Sequence, residues 1–219
     1  MDTSLGPEDL AAYLASQVSA FFPDERVDAG QLARPLASAL ERAEHCFSHL
    51  RRKYFVQDDR TVFNHLNTDQ YAMFLYLLSN TLFRMEESPS VAAKVYALNK
   101  ALHSIDAFYE VELPDIFLFQ HPVGTVLGRA TYGDYFCAYQ RCSVGANLDD
   151  VYPTIGRGVV MYGGSAIIGA SRIGDNCLLS LGATVMDADI PANSVIFGAS
   201  PDLSVRSTSR DVVRDIFAP

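Results

Sequence analysis

The segment best suited to proton transfer is Phe-Gln-His-Pro-Val-Gly-Thr-Val-Leu-Gly, residues 119–128, which contains His121. The acidic residues that precede this histidine are Asp106, Glu110, Glu112 and Asp115. A histidine whose ring is oriented by a carboxylate is the smallest arrangement that removes a proton from a hydroxyl group near neutral pH. We therefore predict that His121 is a catalytic base. The alternative is a histidine in a turn, bonded to a backbone carbonyl.

The other four histidines give weaker indications of chemistry. His45 and His49 are separated by one helical turn, a spacing that can bind a metal ion. Because no further carboxylate or histidine completes a metal motif, we predict that these two side chains lie on a solvated helix face and that the protein needs no metal. His65 and His103 stand alone and are assigned no role.

The element that positions His121 is a six-residue repeat over residues 126–197. Its apolar positions are Ile155, Met161, Ile167, Ile173, Leu179 and Val185. The series is interrupted at Pro191 and resumes at Phe197. An earlier run in its own register is separated from the first by residues 145–154; this run contains Val126, Tyr132, Ala138 and Val144.

A period of six fits neither a helix nor an alternating strand, but it fits a coil of short parallel strands joined by tight corners. In such a coil one residue of each strand points inward and stacks on the coil below. The fifth position of each hexapeptide is small or β-branched, as a packed corner requires: Val159, Ser165, Ser171, Cys177 and Ala183. Six consecutive hexapeptides in one register disfavour the alternative of an ordinary β-sandwich.

The N-terminal half is predicted to be helical. The expected helix starts are Pro7 with an acidic first turn, a capping box of Asp28 and Gln31, a Thr68 cap, and the pair Ser88-Pro89. Pro35 is expected in or near the first turn of its helix, where proline is tolerated. The helix over 69–85 is apolar on nearly every side at 71–78, which predicts burial. Residues 51–67 are polar and are predicted to form a connection.

These patterns predict a chain of three parts: a helical domain at 1–112, a β-helical domain at 113–205, and a short amphipathic tail at 206–219. With 219 residues the chain is long enough for two modest domains. A net charge of −9 disfavours a nucleic-acid surface, which needs clustered basic residues. We find no secretory signal, and the longest apolar stretch is too short to span a bilayer. The four cysteines lack a CxxC spacing, which predicts reduced core residues and a cytoplasmic location.

A helical domain followed by hexapeptide repeats resembles the bacterial and plant serine O-acetyltransferases. Residues 121–128 match the His-x-x-Gly-x-Val-x-Gly motif that carries the catalytic histidine of that family. Residues 154–169 match the coils that follow, and Gly-Ala-Thr-Val at 182–185 matches the next coil. The similarity covers roughly residues 113–205 and is weaker over the helices. The repeat is common to many acyltransferases, so the histidine motif behind a helical domain is the more specific feature.

The resemblance implies a left-handed parallel β-helix, assembled as a trimer with active sites between neighbouring subunits. It also implies that two trimers can associate through their helical domains. His121 would act as the general base on the acceptor hydroxyl, which attacks the thioester of acetyl-CoA directly. In the family an aspartate in a Val-Asp-Ile segment orients this base. Glu112 occupies the nearest matching position here, and Asp115 is its rival.

The resemblance also assigns binding roles. The positions that match the coenzyme contacts of the family are Gly145, Gly163, Gly164, Leu181 and Gly182. Gln120 stands where the family has an aspartate before the catalytic histidine. Tyr152 lies in a shortened loop where the family has a substrate-binding Arg-His pair. The chain ends in Ala218-Pro219 instead of the isoleucine that docks into cysteine synthase, so that partnership is not expected.

Three functions follow from these observations. The first is a serine O-acetyltransferase, which catalyses the first step of cysteine biosynthesis. The second retains acetyl-CoA but transfers the acetyl group to a hydroxyl or amine of a sugar or amino sugar, as in polysaccharide biosynthesis; the loss of the Arg-His pair favours it. The third is a non-catalytic trimeric scaffold, against which the His121 motif argues.

Overall fold

The structure is a computed structural model that describes residues 1–86 and 88–218. Four helices form most of the N-terminal half: α1 (Pro7–Phe21), α2 (Ala29–Ser48), α3 (Thr68–Arg84) and α4 (Pro89–His103). The predicted polar connection between α2 and α3 folds into part of a small sheet. Its strands are β1 (Asp2–Thr3), β2 (Val56–Gln57) and β3 (Arg60–Phe63).

The helix starts follow the predicted capping chemistry with one correction. The capping box of Asp28 and Gln31 is formed, and Ser88 caps α4 by accepting a hydrogen bond from Val91 N–H. The cap of α3 is Asn67 instead of Thr68, because the Asn67 side chain accepts from the second and third residues of the helix, Asp69 and Gln70. Thr68 is the first residue within the helix.

Pro35 lies in the second turn of α2, not in or near its first turn, and the helix continues past it to Ser48. Its ring is buried among the apolar residues of this helix, so packing offsets the missing backbone donor. Helix α3 packs against α2 and α4 and is buried on nearly every side from Gln70 to Leu82, as its apolar pattern predicts.

The C-terminal half is a coil with three parallel faces. Sheet A contains β5 (Phe117–Phe119), β8 (Phe136–Ala138), β11 (Val159–Met161), β14 (Cys177–Leu179) and β17 (Ser194–Phe197), with β18 (Ser204–Ser207) antiparallel at its edge. Sheet B contains β4 (Asp106–Ala107), β6 (Val126–Leu127), β9 (Ser143–Gly145), β12 (Ala166–Ile168) and β15 (Thr184–Met186). Sheet C contains β7 (Thr131–Tyr132), β10 (Thr154–Ile155), β13 (Arg172–Ile173) and β16 (Asp189–Ile190). The chain visits A, B and C in turn, an arrangement consistent with the predicted left-handed β-helix.

The six-residue repeat places its residues in the interior as predicted over 155–185. Ile155 pairs with Ile173 in sheet C, and Met161 pairs with Leu179 in sheet A. All six apolar residues of the series are buried, and so are the five small or β-branched residues at the fifth position. The close packing of successive coils requires this alternation of large and small interior side chains.

The ends of the repeat depart from the predicted register by one residue. After Val185 the inward positions are Ile190 and Ile196, while the predicted Phe197 is 40% exposed. At the other end Leu127 is buried and the predicted Val126 is 44% exposed. The step between successive inward residues is five residues from Leu127 to Tyr132 and from Val185 to Ile190, one fewer than from Ile167 to Ile173. Counting in steps of six therefore selects the residue next to the buried one at each end of the repeat.

The tail returns along the coil to the helical domain. Helix α5 (Val212–Ile216) is buried against the coil on its apolar face, and Phe217 is fully buried. Phe217 forms a β-bridge with Leu50, and the Arg51 N–H donates to Ile216 O at 3.1 Å. Ala218 N–H donates to His49 O at 2.7 Å, whereas Pro219 lies outside the described residues.

The helical and coiled halves share one continuous apolar core. The Tyr76 hydroxyl donates to Val111 O at 2.7 Å and accepts from Leu113 N–H at 2.9 Å, which joins α3 to the start of the coil. All four cysteines are free and buried within this core. In residues 1–86 and 88–218 no helix is long and apolar enough to cross a membrane.

Candidate active site

His121 lies where the chain leaves strand β5, at the corner between sheets A and B. Its backbone φ is 51°, in the left-handed region, and its side chain is 74% exposed. The left-handed conformation reverses the chain direction within a few residues, so that the imidazole projects from the corner. The exposure leaves the ring accessible to a substrate.

The carboxylate beside His121 is Asp69, from the first turn of α3. Asp69 Oδ2 lies 3.5 Å from His121 Nδ1, and Asp69 Oδ1 accepts the backbone N–H of His121 at 3.1 Å. One side chain therefore contacts both the ring and the backbone of the histidine. This arrangement holds Nδ1 towards the carboxylate, and the other ring nitrogen, Nε2, contacts the Gln120 side chain.

Burial raises the pKa of Asp69, while the His121 backbone bond and the nearby imidazole oppose that rise. The Asp69 side chain is only 13% exposed, which explains the cost of its charge. Gln120 Nε2 donates to Asp69 Oδ2 at 3.2 Å and lies 3.3 Å from His121 Nε2. The predicted substrate-binding residue Gln120 thus touches both members of the pair.

A cleft of about 430 Å³ opens beside this pair. Besides Asp69, Gln120 and His121 its lining comprises Arg52, Tyr54, Phe55, Asn67 and Thr68. Gln70 holds the 52–64 segment in place, because its Nε2 donates to Tyr54 O and Val62 O and its Oε1 accepts Asn64 N–H at 2.6 Å. The helical domain therefore builds one wall of the cleft, and the coil corner builds the other.

The structure does not bring the predicted carboxylates Glu112 and Asp115 to His121. Both line a separate pocket of about 360 Å³, together with Arg84 and Asp134. Both residues precede His121 in the sequence, as the orienting carboxylate of the family pattern does. However, the segment between them and His121 contains β5, which carries the histidine away from their pocket. In this structure the carboxylate paired with His121 is Asp69, whereas Glu112 and Asp115 were the predicted partners.

Four of the five predicted coenzyme contacts lie on the same edge of the coil as His121. Backbone hydrogen bonds connect the successive A–B corners: Arg141 N–H to Val123 O at 3.0 Å, Gly164 N–H to Gln140 O at 2.9 Å, and Gly182 N–H to Gly163 O at 3.1 Å. Leu181 is exposed at the last of these corners. Gly163, Gly164, Leu181 and Gly182 therefore line a continuous edge that begins at the histidine.

The glycines of this edge fit the approach of a narrow chain. At Gly182, with φ of 72°, an added Cβ would meet nothing within 4 Å, so the space beside its backbone is open. At Gly163 an added Cβ would lie 2.7 Å from Gln140 Nε2, which shows how closely side chains pack there. An open, glycine-lined edge lets a narrow chain approach the backbone closely.

The remaining two predicted residues lie at a different corner. Gly145 ends β9, where its carbonyl accepts Gly169 N–H at 2.9 Å, at the corner between sheets B and C. Tyr152 is exposed in the loop that follows Gly145. Within one subunit neither residue lines the His121 cleft. Their roles in binding stay predictions.

The other four histidines do not line the His121 cleft. His45 and His49 lie side by side on α2 and at its end, with ring centroids 4.9 Å apart. The part of the chain that the structure describes has no group of three or more His, Cys, Asp or Glu side chains placed to hold a metal ion. Burial lowers the pKa of His103 to about 4, and its Nδ1 lies 2.8 Å from Asn99 Oδ1.

Asp69 and Arg52 are the site residues that sequence reasoning missed. Asp69 follows a helix start, where an acidic residue is explained by the helix dipole alone. Arg52 belongs to a polar connection that has no motif. Nothing local in the sequence marks either residue, since the helical domain brings both to the coil only through tertiary packing.

Comparisons with known proteins support the predicted resemblance. A curated relative, the serine acetyltransferase of Synechococcus elongatus, is 24% identical over 143 residues, which are 64% of this chain and 58% of the relative. The match thus spans less than two thirds of that protein. No protein-family model matches the sequence.

Solved structures of serine acetyltransferases share the fold. The Neisseria gonorrhoeae enzyme superposes with a TM-score of 0.72 at 18% identity, covering 94% of this chain and 80% of that one. The same protein in complex with serine gives a TM-score of 0.67 at 16% identity, covering 90% and 84% of the two chains. At these identities the likeness establishes the architecture of a helical domain joined to a β-helix.

Proposed function

We propose that this chain, as a hexapeptide-repeat acyltransferase of the serine acetyltransferase type, transfers the acetyl group of acetyl-CoA to a hydroxyl group of a small acceptor. The observation that carries the proposal is the His121–Asp69 pair in an accessible cleft at the start of a glycine-lined edge. A general base, an acceptor space and a path for a thioester arm are the parts that direct acyl transfer requires.

In the proposed reaction His121 Nε2 accepts the proton of the acceptor hydroxyl as the hydroxyl oxygen forms a bond to the thioester carbonyl carbon. Asp69 holds Nδ1 and stabilises the imidazolium that forms. When the tetrahedral intermediate collapses, the carbon–sulfur bond breaks and the proton passes from His121 to the leaving thiolate. The products are the acetyl ester and free coenzyme A, and no acyl-enzyme is formed.

The identity of the acceptor divides the proposal into two forms. Serine is the first, because the curated relative is a serine acetyltransferase and one structural neighbour is described in complex with serine. A sugar or amino sugar is the second, because Tyr152 stands where the family has its substrate-binding Arg-His pair. A non-catalytic scaffold does not explain why the helical domain supplies a buried carboxylate to a coil histidine.

We also propose a cytoplasmic homotrimer, with pairs of trimers joined through the helical domains. The resemblance supports this assembly, and the exposed A–B corners supply edges on which active sites between neighbouring subunits would form. Cysteine synthase is not proposed as a partner, since Ile216 and Phe217 are buried against this chain's own helical domain and coil.

The test is release of free thiol from acetyl-CoA by the purified protein, with serine compared against a panel of amino acids and amino sugars. We expect turnover with one acceptor class and a loss of about 10²- to 10⁴-fold in His121→Ala. His45→Ala, which removes an exposed histidine of α2, is the matched control and should retain full activity. Retained turnover in His121→Ala would reject His121 as the base, and absence of acetyl-CoA binding in the wild type would favour the scaffold.

A further inference from the structure

Arg52 is the cleft residue that the proposed reaction does not use. It lines the same 430 Å³ cleft as His121 and Asp69, and it supplies the one arginine or lysine of that lining. The residue is half-buried, and its Nε is a buried side-chain atom that lacks a hydrogen-bond partner among the described residues. An arginine with an unused donor beside a catalytic base calls for an explanation.

No carboxylate of residues 1–86 and 88–218 forms an ion pair with Arg52. The nearby carboxylate in the cleft, Asp69, is already engaged by the backbone of His121 and by Gln120. A neighbour of the guanidinium is Tyr139, whose pKa is raised by burial and is only partly lowered by the positive charge of Arg52. Arg52 therefore carries a positive charge without a compensating negative charge.

Retaining a half-buried cation without an anion costs free energy, because desolvation of the charge is not offset by a partner. A guanidinium presents a planar fork of donors that matches the oxygen atoms of a carboxylate or a phosphate. Such charge-assisted hydrogen bonds are stronger than hydrogen bonds between neutral groups. An anion that enters the cleft would provide the missing partner. The same anion would bring its own molecule beside His121.

We propose that Arg52 binds an anionic group, a carboxylate or a phosphate, of the acceptor whose hydroxyl His121 deprotonates. The proposal rests on the function proposed above and narrows the acceptor to hydroxyl compounds that carry such a group. Serine fits through its carboxylate, and so does a uronic acid. A neutral sugar does not. The helical domain thereby supplies the cation for which the coil loop at Tyr152 has no arginine.

The experiment compares acceptors in matched pairs that differ in the anionic group: L-serine with serinol, glucuronate with glucose, and glycerol 3-phosphate with glycerol. We expect the wild type to prefer the anionic member of the accepted pair by about 10- to 100-fold in kcat/KM, as one charge-assisted contact of about 1.5–3 kcal/mol implies. Arg52→Gln should remove this preference mainly through acceptor KM, because the contact exists equally in ground and transition states. Arg52→Lys should restore part of it.

Arg60→Gln is the control for general electrostatics, since it removes an exposed positive charge elsewhere in the helical domain. An equal loss for anionic and neutral acceptors in Arg52→Gln would show a structural role and overturn the proposal. So would a wild type that prefers the neutral member of every pair.

A second measurement does not depend on turnover. The Arg52 Nε–H resonance, identified by its loss in Arg52→Lys, is followed by NMR while acetate or inorganic phosphate is added to the wild type. A saturable shift that is retained in Arg60→Gln is expected. Absence of a shift overturns the role of Arg52, whereas a shift without thiol release on any acceptor would reject the proposed acetyl transfer alone.

Discussion

At the scale of the residue, the main finding is that the carboxylate in contact with His121 comes from outside the coil. The family pattern points to a carboxylate shortly before the histidine, at Glu112 or Asp115, but Asp69 makes the contacts. A single aspartate that binds both the ring and the backbone N–H fixes the histidine more rigidly than a contact to the ring alone. The proposed catalysis therefore depends on how the helical domain packs against the coil.

We predict that Asp69→Asn lowers kcat for acetyl transfer by roughly 10²-fold, the lower end of a general base's contribution, because the imidazolium loses its counter-charge. The matched controls are Glu112→Gln and Asp115→Asn, which remove the rival carboxylates and should each change kcat less than about threefold. Steady-state rates of thiol release at saturating acetyl-CoA measure the effect. A larger loss in Glu112→Gln than in Asp69→Asn would return the orienting role to Glu112.

At the scale of the element, the β-helix tolerates corners of unequal length. Ile190 pairs with Ile173, and Ile196 pairs with Leu179, so the interior columns continue although the corner before β16 is one residue short. The hydrophobic effect selects the inward residue, and the corner adjusts its backbone to suit. Asp187, which has φ of 48°, takes the left-handed conformation in this short corner.

The shifted register predicts opposite sensitivities for two adjacent residues. Ile196→Ala should lower the free energy of unfolding by about 2–4 kcal/mol, because it leaves a cavity in a column that is fully closed to solvent. Phe197→Ala should cost less than about 1 kcal/mol, since that residue is 40% exposed and its ring forms a cation–π contact with the Arg206 guanidinium, 5.5 Å from the ring centroid. Urea unfolding of the two variants decides between the registers. A larger cost for Phe197 would restore the strict count of six.

At the scale of the whole molecule, the helical half, the coil and the tail behave as one packed unit. The shared core joins α3 to the first coil, and the tail runs back from the far end of the coil to Leu50. A truncation that leaves only the coil would expose Phe117 and Phe119, which are now fully buried. Substitutions that shift the helical domain should therefore alter the proposed active site, because Asp69 and Arg52 line its cleft.

Acid stability is a property of this joint core, in which His103 is buried. Its pKa is lowered to about 4 by burial, so the unfolded chain binds a proton below pH 6.5 that the folded chain does not. The free energy of unfolding is unaffected by this histidine above about pH 6.5. It decreases as the pH falls towards 4, by up to about 3 kcal/mol, because only the unfolded chain takes up the proton there. We predict that His103→Gln reduces this pH dependence, measured by urea unfolding at fixed protein concentration between pH 7 and 4. The exposed His45→Gln is the control, and an unchanged acid slope in His103→Gln would contradict the assignment.

The sequence by itself determined the local and periodic features. The six-residue period follows from which side chains must be inward, and the cap at Asp28 follows from backbone donors that need a partner. The motif around His121 marked this residue as the candidate base because the motif residues are contiguous. Only the tertiary structure decided what faces that base. The contacts of Asp69, the unpaired cation Arg52 and the separation of Tyr152 from the cleft arise where distant segments pack together, and such packing depends on the shape of the whole core, which no local pattern encodes.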